Sequence, residues 1–234
     1  MTLPTIDHEP PLSIASASRR PRRRKAAVVV LASLLVVAGV AFAVVHAIDG
    51  AALAQTRVFL DAHSLTCKNP ADVTTVTRGD DDGTGDESYA VPAVRGSADL
   101  DCQLSVVVQN NSDRTLDIDR VTFTLLGPQS RVGLHTDHAF TQGLNPYLGG
   151  DRDDVVYDYV QDPDNRAPYP VGAGSSQRFD FHLTSDGCRQ AGATTTWPDS
   201  PTFTATIGTA TQDLPLDGAG FGFIGAKTSK QPCT

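Results

Sequence analysis

The sequence predicts a mainly β protein, an antiparallel sandwich preceded by one membrane-spanning helix, and three observations lead there. No charged residue lies between Lys25 and Asp49. Beyond that run, short stretches alternate apolar and polar residues at the strand period of two and are separated by Gly, Pro, Asn and Asp. All four cysteines follow the apolar run. Whole-chain averages conceal this division, since 234 residues with 40% hydrophobic content and a net charge of −8 describe an ordinary acidic protein. Residues 1–25 carry six Arg or Lys against Asp7 and Glu9, a net of +4, which leaves 13 basic and 25 acidic groups, net −12, for residues 26–234.

The helix comes first. Ala26 to Val45 consists of Ala, Val, Leu, Gly and Phe, interrupted only by Ser33. At a rise of about 1.5 Å per residue the run spans roughly 30 Å, the thickness of a hydrocarbon core. It has no polar face, as a soluble core helix would. Arg19, Arg20, Arg22, Arg23, Arg24 and Lys25 precede it, whereas the other flank offers no base until Arg57. That asymmetry predicts a cytoplasmic N-terminus and an extracytoplasmic C-terminal domain, with a single pass between them. A cleaved signal peptide is the rival, because Ala52-Leu53-Ala54 has cleavage-site spacing. Retention as an anchor is preferred, since the apolar run exceeds the usual signal core of about 7 to 15 residues and does not abut Ala52. Ser18-Arg19-Arg20 lacks the apolar residues that follow a twin-arginine export signal, and is read as a topology determinant that can also contact anionic lipid. The expected organisation is a disordered basic tail over 1–25, a transmembrane helix over 26–48, a stalk or linker over 49–66 with a short helix from Ala51 to Ala62, and a β-sandwich over 67–234.

Cys67, Cys102, Cys188 and Cys233 all lie on the side predicted to be oxidising, so they are expected to form two disulfides. Three pairings are possible. Cys67 with Cys102 and Cys188 with Cys233 is preferred because each joins neighbours along the chain. No two cysteines have the spacing of a zinc or redox motif.

The clearest strand is Cys102 to Val108, in which Cys102, Leu104, Val106 and Val108 alternate with other residues. Asn110-Asn111-Ser112-Asp113 then supplies turn chemistry. In the next strand the apolar positions run Leu116, Ile118 and then Val121, Phe123, Leu125, a slip of one residue near Asp119 and Arg120. A strand changes face only by accommodating an extra residue, so a β-bulge is predicted there. Alternation recurs at Val155, Tyr157 and Tyr159, at Phe179, Phe181 and Leu183, at Phe203, Ala205 and Ile207, at Leu214 and Leu216, and at Phe221 and Phe223. Short strands of this kind, separated by turns, predict an antiparallel sandwich. Trp197 precedes Pro198 in a loop-like stretch and does not fit the buried Trp of an antibody domain.

Val106-Val-Val-Gln-Asn-Asn-Ser-Asp-Arg-Thr-Leu, followed by Val121-Thr-Phe-Thr-Leu, resembles the strand, turn, strand signature of immunoglobulin-like domains in bacterial envelope proteins and lipoproteins. Tyr169-Pro-Val-Gly-Ala-Gly-Ser-Ser-Gln-Arg-Phe-Asp-Phe resembles the later Pro-Gly loop and strand of the same domains. The resemblance covers about residues 100–210, implies an immunoglobulin-like sandwich in an envelope setting, and carries no chemistry, since fold does not imply function. The chain departs from the lipoproteins in having no Cys at the end of its hydrophobic segment.

Two groups of residues are candidates for metal binding. The acidic loop with Asp80, Asp82 and Asp86 offers the oxygen ligands that calcium needs. It fails the EF-hand register, and a solvated loop is the plainer reading. A second acidic series, Asp151, Asp153, Asp154, Asp158, Asp162 and Asp164, is similarly spread. His135-Thr-Asp-His138, with Asp137, places two imidazoles and a carboxylate within four residues, a donor set suited to Zn²⁺ or Cu²⁺. In a strand, however, His135 and His138 fall on opposite faces. His182, between Phe181 and Leu183, is expected to face outward as a surface residue. Gly220-Phe-Gly-Phe-Ile-Gly225 has dinucleotide-fingerprint spacing but only nine residues after it, so it is read as a terminal strand or turn.

No nucleophile elbow, Ser-x-x-Lys or His-Glu-x-x-His motif is present in the sequence. A charge of −12 on residues 26–234 disfavours nucleic acid. The expected function is therefore that of a non-enzymatic, membrane-anchored module, without cofactor, whose partners are the lipid bilayer and an envelope protein. A metal- or small-ligand-binding envelope sensor is the alternative.

Overall fold

The computed structural model describes residues 21–79, 88–97, 99–124, 126–127, 133–141, 144–147, 154–159, 168–185, 201–218 and 220–225. The acidic residues Asp80, Asp82, Asp86, Asp151, Asp153, Asp162 and Asp164, together with Cys188, Cys233 and Trp197, lie outside them.

The chain divides into two units, Met1–Val44 and Val45–Thr234. One helix, α1 (Pro21–Leu53), is long and apolar enough to cross a membrane, over Val30–Leu53. Its side chains from Val30 to Ile48 are exposed and predominantly apolar on every face. That pattern suits lipid and is costly in water.

From Val45 onward the chain builds a β-sandwich. Thirteen strands are found among the described residues: β1 (Thr56–Cys67), β2 (Val73–Gly79), β3 (Ser88–Arg95), β4 (Cys102–Asn110), β5 (Leu116–Phe123), β6 (Leu134–Ala139), β7 (Leu144–Tyr147), β8 (Val155–Tyr159), β9 (Tyr169–Val171), β10 (Ser176–Ser185), β11 (Thr202–Ile207), β12 (Ala210–Leu214) and β13 (Gly222–Ile224). One sheet runs β1-β4-β10-β6; a second runs β12-β11-β5-β8-β7, with β9 also on β5; a third, small sheet runs β13-β3-β2. Pairing is antiparallel except between β13 and β3.

The alternation of apolar residues becomes the core. Cys102, Leu104, Val106 and Val108 of β4 and Phe179, Phe181 and Leu183 of β10 are buried, and meet Ile118, Val121 and Phe123 of β5, Tyr157 of β8 and Phe203 of β11 in one cluster. The rings interlock edge-on: Phe123 and Phe181 lie 4.7 Å apart between centroids, and Phe179 and Phe203 lie 5.3 Å apart. Each such buried side chain contributes roughly 1.5–3 kcal/mol.

The bulge predicted in β5 is present. Thr204 of β11 faces Arg120 and Ala205 faces Ile118, so Asp119 is the extra residue. It lets Ile118 and Val121 both reach the core. The glycine-spaced segment near the C-terminus holds the buried strand β13, as its reading as a terminal strand or turn anticipates.

The segment assigned to a stalk differs. In place of a helix from Ala51 to Ala62, α1 ends at Leu53 and β1 begins at Thr56, pairing with β4 from Thr56↔Asn110 to Cys67↔Cys102. The reason is packing, because Ala52, Leu53 and Val58 join the sandwich core. Asp49, fully buried, makes an ion pair with Arg114 and accepts hydrogen bonds from the Thr209 backbone N–H (2.8 Å) and hydroxyl (2.9 Å). Gly208, at φ +57°, makes this possible, since a Cβ there would sit 2.5 Å from Asp49 Oδ2.

Candidate functional site

One face of the four-stranded sheet covers the core, and the other presents polar side chains of β4, β10 and β6. Along it, the Ser105 hydroxyl and the Arg178 Nε–H both donate to Asp180 Oδ1, at 2.6 and 2.8 Å. Burial pushes the Asp180 carboxyl up, but these hydrogen bonds and the Arg178 charge outweigh it, and the net displacement is downward.

Next to this network, the pairing of β6 with β10 is irregular in a way that creates a site. Leu183 faces Thr136 and Phe181 faces Ala139, so the single residue His182 is opposed by two, Asp137 and His138. In a regular strand those neighbours point to opposite faces, whereas a bulge re-aims one of them. Here both are exposed. Thr136 holds the start of the bulge in place from inside, its hydroxyl 2.6 Å from the hydroxyl of buried Tyr157.

Asp137 Oδ1 lies 2.6 Å from Nδ1 of His182 and 2.8 Å from Nδ1 of His138, and the two imidazole rings are 4.3 Å apart. On its far side His182 presents Nε2 to Asp101 Oδ1 at 3.2 Å. The Phe140 ring packs edge-on against His138 at 4.8 Å. Together these neighbours leave the His182 side chain only 14% exposed. Partial burial pushes the Asp137 carboxyl up, but hydrogen bonds and charge from His182, and then from His138, bring it below the ordinary carboxylate range.

Asp101 is itself held. Its carbonyl accepts from the Lys68 backbone N–H at 2.9 Å, and its neighbour Cys102 is disulfide-bonded to Cys67. The predicted Cys67–Cys102 bridge thus sits directly beside the cluster.

Of the sequence candidates, Asp137 and His138 belong to this site and His135 does not. His135 is buried, its Nδ1 2.7 Å from the Gly127 carbonyl oxygen. His182 faces outward as expected, but as a member of the cluster and not as an isolated surface residue. Asp101 joins the cluster through His182, and no sequence motif marks it. Asp137, His138 and His182 offer three ligand atoms within 4.8 Å of one another, the arrangement that could hold a metal ion.

Fold and site together define an antiparallel β-sandwich with an N-terminal helix suited to a membrane. No family model matches the chain, and no curated protein does. Among solved structures, a glycoside hydrolase family 20 exo-β-N-acetylglucosaminidase from Vibrio harveyi is similar over 76% of this chain at 10% identity and a TM-score of 0.29. The similarity spans only 19% of the length of that enzyme. An uncharacterized protein from Nocardia farcinica, described as having an immunoglobulin-like fold, is similar over 62% of this chain and 98% of its own length, at 16% identity and a TM-score of 0.28.

Proposed function

We propose that the protein is a membrane-anchored module of a bacterial cell envelope, non-enzymatic, with its sandwich outside the cytoplasmic membrane in contact with another protein or envelope component. The observation that carries this reading is the construction of the α1 end. An apolar helix, exposed from Val30 to Ile48, finishes in a buried Asp49 and in Ala52 and Leu53, which belong to the sandwich core. A segment removed after Ala54 would take those core residues with it, which supports retention over cleavage. The Cys67–Cys102 disulfide fits an oxidising compartment. Phe140, 52% exposed, is the large apolar side chain that the sandwich presents outward among the described residues, and it supplies an apolar contact point for a partner.

The test uses the full chain in intact cells. The expected result is a membrane-associated protein of full length, resistant to alkaline extraction, whose C-terminal domain is digested by protease added from outside. A photocrosslinking residue at position 140 should give one discrete adduct. Mature protein lacking the first 54 residues, or a domain protected from external protease, would overturn the topology. Absence of any adduct, under conditions that trap a known envelope complex, would remove the interaction.

A further inference from the structure

We propose that Asp137, His138 and His182 form a binding site for a divalent transition-metal ion of the zinc class. The three donor atoms, Asp137 Oδ1, His138 Nδ1 and His182 Nδ1, already converge, with the carboxylate oxygen 2.8 and 2.6 Å from the two nitrogens. A tetrahedral ion with bonds of about 2.0–2.1 Å keeps its ligand atoms roughly 3.3 Å apart. Exchanging the shared protons for a cation therefore opens these two contacts by less than about 1 Å, and all three ligand atoms already lie within 4.8 Å of one another.

The donor set selects the ion. Two imidazoles and one carboxylate suit Zn²⁺, Cu²⁺ and Ni²⁺, whereas Ca²⁺ and Mg²⁺ require oxygen. Three protein ligands leave a fourth position open to water or to a partner's side chain. Asp101 completes the arrangement from behind. With Nδ1 committed to the ion, His182 Nε2–H faces Asp101 Oδ1 at 3.2 Å, the carboxylate–histidine–metal relation that fixes the tautomer and raises ligand basicity. The site is built on rigid parts. His182 lies in β10, paired on both sides, and the bulge bearing Asp137 and His138 is held at Thr136 by Tyr157. Asp101 adjoins the disulfide at Cys102. The net charge of −12 on residues 26–234 adds a field that favours cations.

The experiment is isothermal titration calorimetry of the full chain in detergent, purified without a histidine tag, with Zn²⁺ as the probe. Wild-type protein should bind one ion at this site. His138→Gln and His182→Gln should each weaken that binding at least about tenfold, and Asp101→Asn by about 10- to 100-fold. His135→Gln should leave it unchanged. His138 is exposed, so His138→Gln should retain its melting temperature, and it keeps the test independent of folding. No heat up to millimolar Zn²⁺, or binding that survives both His138→Gln and His182→Gln, would overturn the proposal. Failure here would leave the anchor reading untouched, since that reading rests on the end of α1.

Discussion

Asp49 and Arg114 form an ion pair that joins the last turns of α1 to the turn between β4 and β5. The carboxylate is fully buried and the guanidinium is about half exposed, so the aspartate depends on its partner far more than the arginine does. Removing Arg114 strands a buried charge, while removing Asp49 leaves a cation that can still reach water.

Arg114→Ala is accordingly expected to destabilise the sandwich by about 3 kcal/mol, and Asp49→Ala by less. The double substitution should cost less than the sum of the two. Gly208→Ala should be destabilising as well, because it combines a left-handed backbone with a collision against Asp49 Oδ2. Denaturant titration of the full chain in detergent measures all four variants.

Asn110 is the hub of the same turn. Its side-chain amide donates toward the carbonyls of Arg114 (2.7 Å) and Val171 (3.1 Å), and its oxygen accepts from the Ser112 N–H (3.1 Å) and hydroxyl (2.7 Å). Asn110→Ala leaves several of these groups buried without partners, at an expected cost of about 2–3 kcal/mol. A loss below about 0.5 kcal/mol in denaturant titration would contradict that role.

The acid limb of stability should be set in part by Asp137 and Asp180. Both carboxyls lie below the ordinary value of 3.8 in the folded protein. Their contribution is present above the unfolded value and is lost as the pH falls through the folded ones. Asp117 runs the other way: burial, and then the charge of Asp119, raise it, so its contribution is present below 3.8 and is lost as the pH rises through the folded value. Asp180→Asn should therefore lower the melting temperature at pH 7 and flatten the acid limb. Asp117→Asn should raise it at pH 7, with the gain shrinking toward pH 3. Thermal melts across pH 3–7 test both signs.

The Cys67–Cys102 bridge closes a loop of sequence separation 35 beside Asp101. Replacing both cysteines with serine is expected to cost about 2–4 kcal/mol. It should also broaden the resonances of His182 in side-chain NMR spectra, since Asp101 loses its fixed neighbour. Sharp, unshifted His182 signals would show that the bridge acts on stability alone.

Where side chains are strongly apolar, the sequence discloses the structure in detail. The slip from Ile118 to Val121 marked the bulge at Asp119 because a face change that breaks alternation leaves a trace in the apolar pattern. The equivalent feature in β6 left no trace. His135-Thr-Asp-His138 contains no apolar residue to register a change of face, so nothing in the sequence marks the meeting of His138 with Asp137 and His182. β1 is hidden in the sequence for a different reason. Val58, Phe59 and Leu60 are consecutive, and only tertiary packing decides that Val58 enters the core while the chain pairs with β4.

The extra residue in β6 makes strand length a diagnostic character. A homologous chain one residue shorter between the positions of Thr136 and Ala139 would restore regular pairing and leave one residue in place of two opposite the position of His182, so that a histidine there would keep a single neighbour. Counting that interval in aligned relatives, before asking which side chains fill it, therefore separates chains able to assemble the cluster from those that share only the sandwich.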